Sequence, residues 1–461
     1  MNKSFENLEL RDELKKTLSD LEFTEMTEIQ SLAIPVILEG QDITAIAKTG
    51  SGKTLVFGLG ILNSLDSTNL TLSSLVICPT RELADQVASE IRKFARLIKN
   101  TKVITICGGT SQIHQEKSLE YGSQIIVGTP GRLLKLIKEK KISLKGIKNF
   151  ILDEADKMLD MGFIEDIMEI EKFTPRDKQS LFFSATFPER IQELSSSIQN
   201  NSKFIKTKQE ESEILISEKF IELLSHKDKE SSLIKLLAEY KPQRFIIFCR
   251  TKIITDKVNN LLNDHGIISE SMHGDLDQNE RNVVLRMFDN QSLSSLVATD
   301  VAARGLDIGG LDAIINFDLP SKKEEYIHRI GRTGRAGNKG LAFSFFIDKQ
   351  RKLVDEFCEN RFELERSDFI DVMDLNEEQE YNLLPPMCTL YISRGKKDKL
   401  RPGDILGAII GETGITDKSI GKINILNIIS YVAIERSKAD LVIDNMKNKK
   451  IKKKNIKIGF A

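Results

Sequence analysis

Residues 42–62 read DITAIAKTGSGKTLVFGLGIL: a short apolar run, a glycine-rich turn, then a second apolar run of helical length. Strand, turn and helix in that order is the context of a phosphate-binding loop. In AKTGSGKT (Ala47 to Thr54), small residues let backbone N–H groups curl round phosphates at a helix N-terminus. Lys53 is then placed to reach the β- and γ-phosphates of a nucleotide, and Thr54 to ligate Mg²⁺. Ala47 stands where the general pattern has its first glycine. On this stretch alone, a chance glycine-rich turn is the competing reading.

The same alternation continues on either side. Apolar runs DITAIA, SLVICP, KVITICGG, QIIVGTP, NFILDEAD and QSLFFSAT are separated by helical patterns, which indicates a parallel sheet covered on both faces. The pattern breaks at KTKQEESE (Lys206 to Glu213) and resumes with RFIIFCR, IISESMHG, SLVATD, AIINFD and LAFSFF. Two α/β domains are expected, residues 1–206 and 214–365, joined by a flexible linker. Residues 366–385, charged and without apolar period, read as a second linker that ends at the stiff pair Pro385-Pro386. The remainder, 386–461, changes order. MCTLYIS, GDILGAIIGE, GKINILNI, YVAIERS, KADLVIDNM and NIKIGFA spell βαββαβ, the ferredoxin-like arrangement of RNA-recognition modules. The lysine run KNKKIKKKNIK reads as a solvated edge.

The chain has 461 residues, 40% apolar and 29% charged, ample for two or three domains with sizeable cores. Its formal net charge is -1, but Pro386–Ala461 holds 16 Lys and Arg against 7 Asp and Glu. That leaves an acidic body and a basic tail, which points to an anionic partner for the tail. The five cysteines are scattered without a CxxC pair, which argues against a metal centre or a disulfide framework. No apolar stretch approaches the roughly 18 residues of a membrane span, and the first residues lack the apolar segment of a signal peptide. The expectation is a cytoplasmic monomer with no membrane partner.

Two further motifs carry chemistry. FILDEAD (Phe150 to Asp156) is an apolar strand ending in clustered acids. Asp153 is placed to hold Mg²⁺ through water, and Glu154 to orient or deprotonate an attacking water. A solvated acidic loop is the alternative, weakened by the phosphate loop upstream. HRIGRTGR (His328 to Arg335) brings three arginines with two glycines between them. Beside a nucleotide site, arginines in the second half can be delivered to a γ-phosphate when the halves close.

Together these motifs resemble the DEAD-box RNA helicases, and the resemblance runs over nearly the whole chain. The family's remaining motifs follow in order: PTRELA (Pro79 to Ala84), Gly108-Gly109, TPGR (Thr129 to Arg132), SAT (Ser184 to Thr186), FCRTK (Phe248 to Lys252), HGDLDQNER (His273 to Arg281) and ATDVAARGLD (Ala298 to Asp307). The resemblance implies two tandem RecA-like domains and hydrolysis of ATP with Mg²⁺. It implies ATP contacts from Phe23, Gln30, Ala47, Thr49, Gly50, Ser51, Gly52, Lys53, Thr54, Gly305 and Asp307, with Gln30 on the adenine edge. Glu22 and Met26 replace the family's usual glycine and proline beside that glutamine. Arg332 and Arg335 would meet the phosphates, and Asp156, Ser184, Thr186 and His328 would couple ATP to RNA. RNA contacts would come from Pro79, Thr80, Arg81, Gly108, Gly109, Thr129, Gly131 and Arg132 in the first half. Arg250, Gln278, Arg281 and Thr299 would supply them in the second. Backbone amides, hydroxyls and arginines of this kind hold phosphates and 2′-hydroxyls without reading bases. Closure of the halves would bend one strand and open a short duplex locally.

The tail resembles the RNA-binding domain of the DbpA branch of this family. That resemblance implies a hairpin of 23S ribosomal RNA as ligand and a role in assembling the large ribosomal subunit. The residues themselves give a plainer picture: Tyr391 and Tyr431 are the aromatics expected on the sheet face, so a base-stacking platform is poorly furnished. The basic loop Arg394, Lys396, Lys397, Lys399 and Arg401 is the better RNA-binding candidate, through phosphates. Two other readings stay open: a general helicase of cold shock or RNA decay, and an ATP-gated RNA clamp.

Overall fold

The computed structural model describes residues 4–47, 50–109, 111–207, 216–303, 310–334, 339–359, 368–371 and 383–461. The chain forms two compact units: the first carries one sheet, and the second carries another sheet together with the C-terminal module.

In the first unit seven strands run β1 (Ile43–Ile46), β2 (Ser74–Ile77), β3 (Val103–Ile106), β4 (Ile125–Gly128), β5 (Asn149–Asp153), β6 (Gln179–Ser184) and β7 (Lys203–Lys206). They pair in parallel in the order β3-β4-β2-β5-β6-β1-β7. Alternate residues feed opposite faces. Val76 and Cys78 enter one core with Val127 and Phe183, while Leu75 and Ile77 enter the other with Phe150 and Phe182. This is why the strands read as unbroken apolar runs rather than alternating ones.

The second unit begins with β8 (Ile216–Leu223), β9 (Phe245–Phe248), β10 (Ser269–Met272), β11 (Ser295–Ala298), β12 (Ala313–Asn316), β13 (Gly340–Ile347) and β14 (Phe369–Ile370). Their order, β10-β11-β9-β12-β13-β8-β14, repeats that of the first sheet position for position. Strand β14 corrects the linker reading of 366–385: Phe369 and Ile370 join the sheet edge against Phe220 and Ile221. Leu383 is likewise buried in this unit's core.

The C-terminal module has strands β15 (Met387–Ile392), β16 (Ile420–Ile425), β17 (Ser430–Glu435), β18 (Lys450–Ile451), β19 (Lys454–Asn455) and β20 (Ile458–Phe460). An antiparallel sheet β16-β17-β15-β20 packs its apolar residues with those of helices Pro402–Thr413 and Ala439–Met446. The βαββαβ order is thus present, with one addition. The lysine run is not a bare edge: β18 and β19 form a hairpin whose two turn residues, Lys452 (φ 50°) and Lys453 (φ 65°), are both left-handed.

Within the second unit this module is docked, not dangling. Thr389 Oγ1 lies 2.7 Å from Ser292 Oγ and accepts from Asn290 Nδ2 at 3.2 Å. The Arg286 guanidinium sits 5.7 Å from the centre of the Tyr431 ring. Arg436 donates to the carbonyls of Pro385 (2.6 Å) and Met387 (2.9 Å), so it clamps the diproline at the junction. Among the described residues, no helix is long and apolar enough to cross a membrane.

Candidate nucleotide site and nucleic-acid interface

In an open parallel sheet, ligands collect beyond the carboxyl ends of the strands. The sheet order of the first unit sorts the motifs into two groups there. The phosphate loop follows β1, DEAD closes β5 and SAT closes β6, and these three strands are neighbours. PTRELA follows β2, the glycine pair follows β3, and TPGR follows β4, the three neighbours on the other side.

On the nucleotide side, Gly50 (φ 82°) and Gly52 (φ 90°) take left-handed turns that let the loop double back before helix Lys53–Asn63. Thr49, like Gly305, Asp307 and Arg335, lies outside the described residues. Lys53 is buried and donates to the Ala47 carbonyl at 3.0 Å, within the loop it is expected to serve. Thr54 is the second residue of that helix. Gln30 is buried beside the loop: its amide oxygen accepts from Thr27 N (2.8 Å), and its amide nitrogen donates to the Gly52 carbonyl (3.3 Å). Thr27 Oγ1 donates to the Ser51 carbonyl at 2.9 Å. Phe23 is half-buried, edge-on to Phe5 and Phe94. Glu22, where the family has glycine, keeps a glycine-like backbone at φ 60°.

The acids sit within the same group. Asp153 is buried, and its Oδ1 has no hydrogen-bond partner. Burial lifts its carboxyl to about 6; Lys53 opposes that shift and the neighbouring Glu154 adds to it. An orphaned buried carboxylate oxygen facing this electrostatic setting suits a divalent cation, so Asp153 and Thr54 fit the Mg²⁺ that such a nucleotide site implies. Glu154 caps helix Ala155–Asp160 with a left-handed backbone (φ 56°, ψ 53°), and its carboxylate pairs with Lys157 at 2.7 Å. Asp156 ties this turn to SAT: its backbone N–H donates to Ser184 Oγ (3.2 Å). Its Oδ2 accepts from Ala185 N (3.1 Å), Thr186 N (2.9 Å) and Thr186 Oγ1 (3.1 Å). DEAD and SAT are one hydrogen-bonded assembly.

On the other side of the sheet, Pro79 and Thr80 lead into helix Arg81–Phe94, and Thr80 Oγ1 caps it at Leu83 N (3.3 Å). Arg81 lies so close under the glycine pair that a Cβ at Gly109 (φ 73°) would overlap its guanidinium. Thr129 leads into helix Pro130–Lys138, which holds Gly131 and Arg132. The sequence reading missed Gln115. This buried side chain donates to the Cys107 carbonyl (2.7 Å), just before the glycine pair, and accepts from Arg132 Nη1 (3.2 Å). It bridges two motifs. Helix Gln112–Glu120 offers no signal for it, since Gln115 is its one buried residue.

In the second unit Arg250, Thr299 and the segment leading to Gln278 follow β9, β11 and β10, the positions equivalent to β2, β4 and β3 of the first. Gln278 opens a helix capped by Asp277, and Arg281 Nη2 donates to the Ala302 carbonyl at 3.2 Å. Arg250 is held at its backbone by Asp318 (2.9 Å). Of the three arginines in HRIGRTGR, Arg329 is a structural member. Its guanidinium forks onto Asp300 with two bonds of 2.6 Å, reaches Asn316 Oδ1 and the Asp318 carbonyl, and lies over Phe248. His328 is half-buried and Arg332 buried.

In the C-terminal module the basic loop is braced rather than loose. Its Lys396 and Lys397 backbone N–H groups donate to the carbonyls of Leu426 (2.7 Å) and Asn427 (2.9 Å). The lysine hairpin holds it from the side: Lys454 pairs with Asp398 (2.9 Å), Lys452 with Asp404 (2.7 Å), and Arg394 Nε donates to the Asn455 carbonyl (3.0 Å). Asp398 of the loop and Asp404 in the first turn of the helix that follows are thereby paired, and Lys396, Lys397, Lys399 and Arg401 remain exposed. Tyr431 is buried against Arg286, while β20 adds Phe460, an exposed aromatic on the same sheet that the sequence reading passed over.

Three family models match the chain. They are the DEAD/DEAH box helicase over residues 27–194, the helicase conserved C-terminal domain over 228–337 and the DbpA RNA binding domain over 389–459. ATP-dependent RNA helicase DbpA of Escherichia coli K12 is 41% identical over 446 residues, 96% of this chain and 95% of that protein. The Bacillus subtilis 168 protein of the same name is 35% identical, covering 99% of each chain. Among solved structures, Saccharomyces cerevisiae Dbp5 bound to RNA and ADP BeF3 is 30% identical, with a TM-score of 0.73 over 81% of this chain and 96% of that one. The helicase motifs, their sorting on two RecA-like sheets and the C-terminal module agree with these matches throughout: the chain is an RNA-dependent ATPase and belongs to the DEAD-box ATP-dependent RNA helicases of the DbpA subfamily.

Proposed function

We propose that this helicase locally opens or remodels 23S ribosomal RNA during assembly of the large ribosomal subunit, directed there by its C-terminal module. The observation that carries the reading is the braced basic loop on a module docked to the second sheet domain. A rigid mount turns hairpin binding into a fixed address for that domain and raises the effective concentration of neighbouring RNA helices.

In the engine, Lys53, the loop amides and the second-half arginines hold the phosphates. Mg²⁺, held by Thr54 and through water by Asp153, would supply charge neutralisation at the β- and γ-phosphates. Glu154 accepts a proton from water as its oxygen attacks the γ-phosphorus, and the bond to the bridging oxygen breaks to leave ADP. Asp156 carries the change at the phosphates to Ser184 and Thr186. Arg81, Arg132, Arg250 and Arg281 grip the backbone of one strand.

The test is unwinding of a short labelled duplex placed beside the ribosomal hairpin, against the same duplex without it. Release that requires the hairpin supports the reading. Equal release from both makes this a general helicase, and turnover without release makes it a clamp.

A further inference from the structure

Lys157 has no part in the scheme above, yet it is as deeply placed as the acids. It is only 5% exposed, and its ammonium lies 2.7 Å from Glu154 Oε2, one helical turn away. Burying an ammonium and a carboxylate together is seldom a source of stability, because an apolar pair of similar size does as well or better. The pair therefore calls for another role, and its surroundings supply one. The Lys157 backbone N–H donates to Asp156 Oδ1 (3.0 Å), while Asp156 Oδ2 holds Ala185 and Thr186. The ammonium is thus mounted on the same turn that anchors SAT. Glu154 itself has a left-handed backbone, an unfavourable conformation for a glutamate.

We propose that Lys157 is a positioning residue for hydrolysis. Its ammonium fixes the Glu154 carboxylate for the attacking water and transmits the state of the Ser184–Thr186 segment to it. This rests on the reading of Glu154 as the group that takes the water's proton. A carboxylate offers about four acceptor sites, so the ion pair through Oε2 leaves it able to accept from water. Lys157 keeps its own proton throughout.

The experiment uses the full chain and four variants: Lys157→Met, Lys157→Arg, Glu154→Gln and the double variant Lys157→Met with Glu154→Gln. Steady-state turnover at saturating RNA, KM for ATP and RNA, and affinity for a fluorescent ADP are measured. Lys157→Met is expected to lower kcat by roughly 10- to 100-fold, the worth of a charged hydrogen bond that holds the carboxylate in place. KM values and ADP affinity stay within about threefold, Lys157→Arg restores most of kcat, and the double variant is no slower than Glu154→Gln. A kcat within about threefold of wild type for Lys157→Met, or a loss that adds in full to that of Glu154→Gln, overturns the proposal. Should Lys157→Met fail to fold, Lys157→Gln takes its place: slow turnover beside an active Lys157→Arg supports the proposal, and equal turnover overturns it. Unimpaired turnover by Glu154→Gln would strike the assignment of Glu154 and the proposal with it. A normal Glu154→Gln defect beside an unimpaired Lys157→Met strikes the proposal alone.

Discussion

Glu22 and Glu154 share a left-handed backbone, at φ 60° and φ 56°, but for different reasons. Glu22 is exposed and lies in a turn where any glycine would do, so its conformation is a cost of roughly 1 kcal/mol carried without local return. Glu22→Gly should raise the stability of the first unit by up to about 1 kcal/mol, read as a higher midpoint in denaturant with turnover unchanged. Glu154 pairs with Lys157 and adjoins the Asp156–SAT network, and it is the residue proposed to take the proton of the attacking water. Lys53→Ala or Glu154→Gln should cut ATP turnover by at least about 100-fold and leave binding of the hairpin by the tail within about threefold, measured by fluorescence anisotropy. The motifs placing these residues were plain in the sequence, because glycine loops and strand-end acids have fixed offsets. Gln115 was not: one buried glutamine on a polar helix has no periodic neighbour to reveal it.

The helix Lys323–Ile330 and the lysine hairpin show what an element adds beyond its motif. Three arginines in HRIGRTGR look equivalent in sequence, and only packing shows that Arg329 faces inward onto Asp300, Asn316 and Phe248. Arg329→Gln should therefore act on stability first, costing about 3 kcal/mol by thermal melting, since it leaves a charge without its bidentate partner. The hairpin escaped the sequence reading because a two-residue turn of this kind ordinarily carries Asn-Gly, and here it is Lys452-Lys453. Its lysines pair with Asp398 and Asp404 and leave the loop's own lysines exposed. Replacing Lys396, Lys397 and Lys399 with Ala should weaken hairpin affinity and lower the salt slope by up to about 3. An unchanged affinity would make these lysines a solvated surface.

At the scale of the molecule, the parallel-sheet class and the changed order of the tail followed from strand length and periodicity. The repeated strand order of the two sheets did not, because it is set by how crossovers pack and leaves no long repeat in the sequence. The docking of the C-terminal module was also hidden. It depends on Thr389, Tyr431 and Arg436 meeting Ser292, Arg286 and the diproline, contacts between residues remote in the chain. A charged stretch before two prolines looks like a tether, yet Phe369, Ile370 and Leu383 fasten parts of it to the second sheet domain. The docked module is thus proposed to address the engine to one RNA. The most direct measurement is steady-state ATPase activity with large-subunit ribosomal RNA, compared with equal masses of transfer RNA and poly(U). Strong stimulation by the ribosomal RNA alone is expected, and equal stimulation by all three would overturn that assignment.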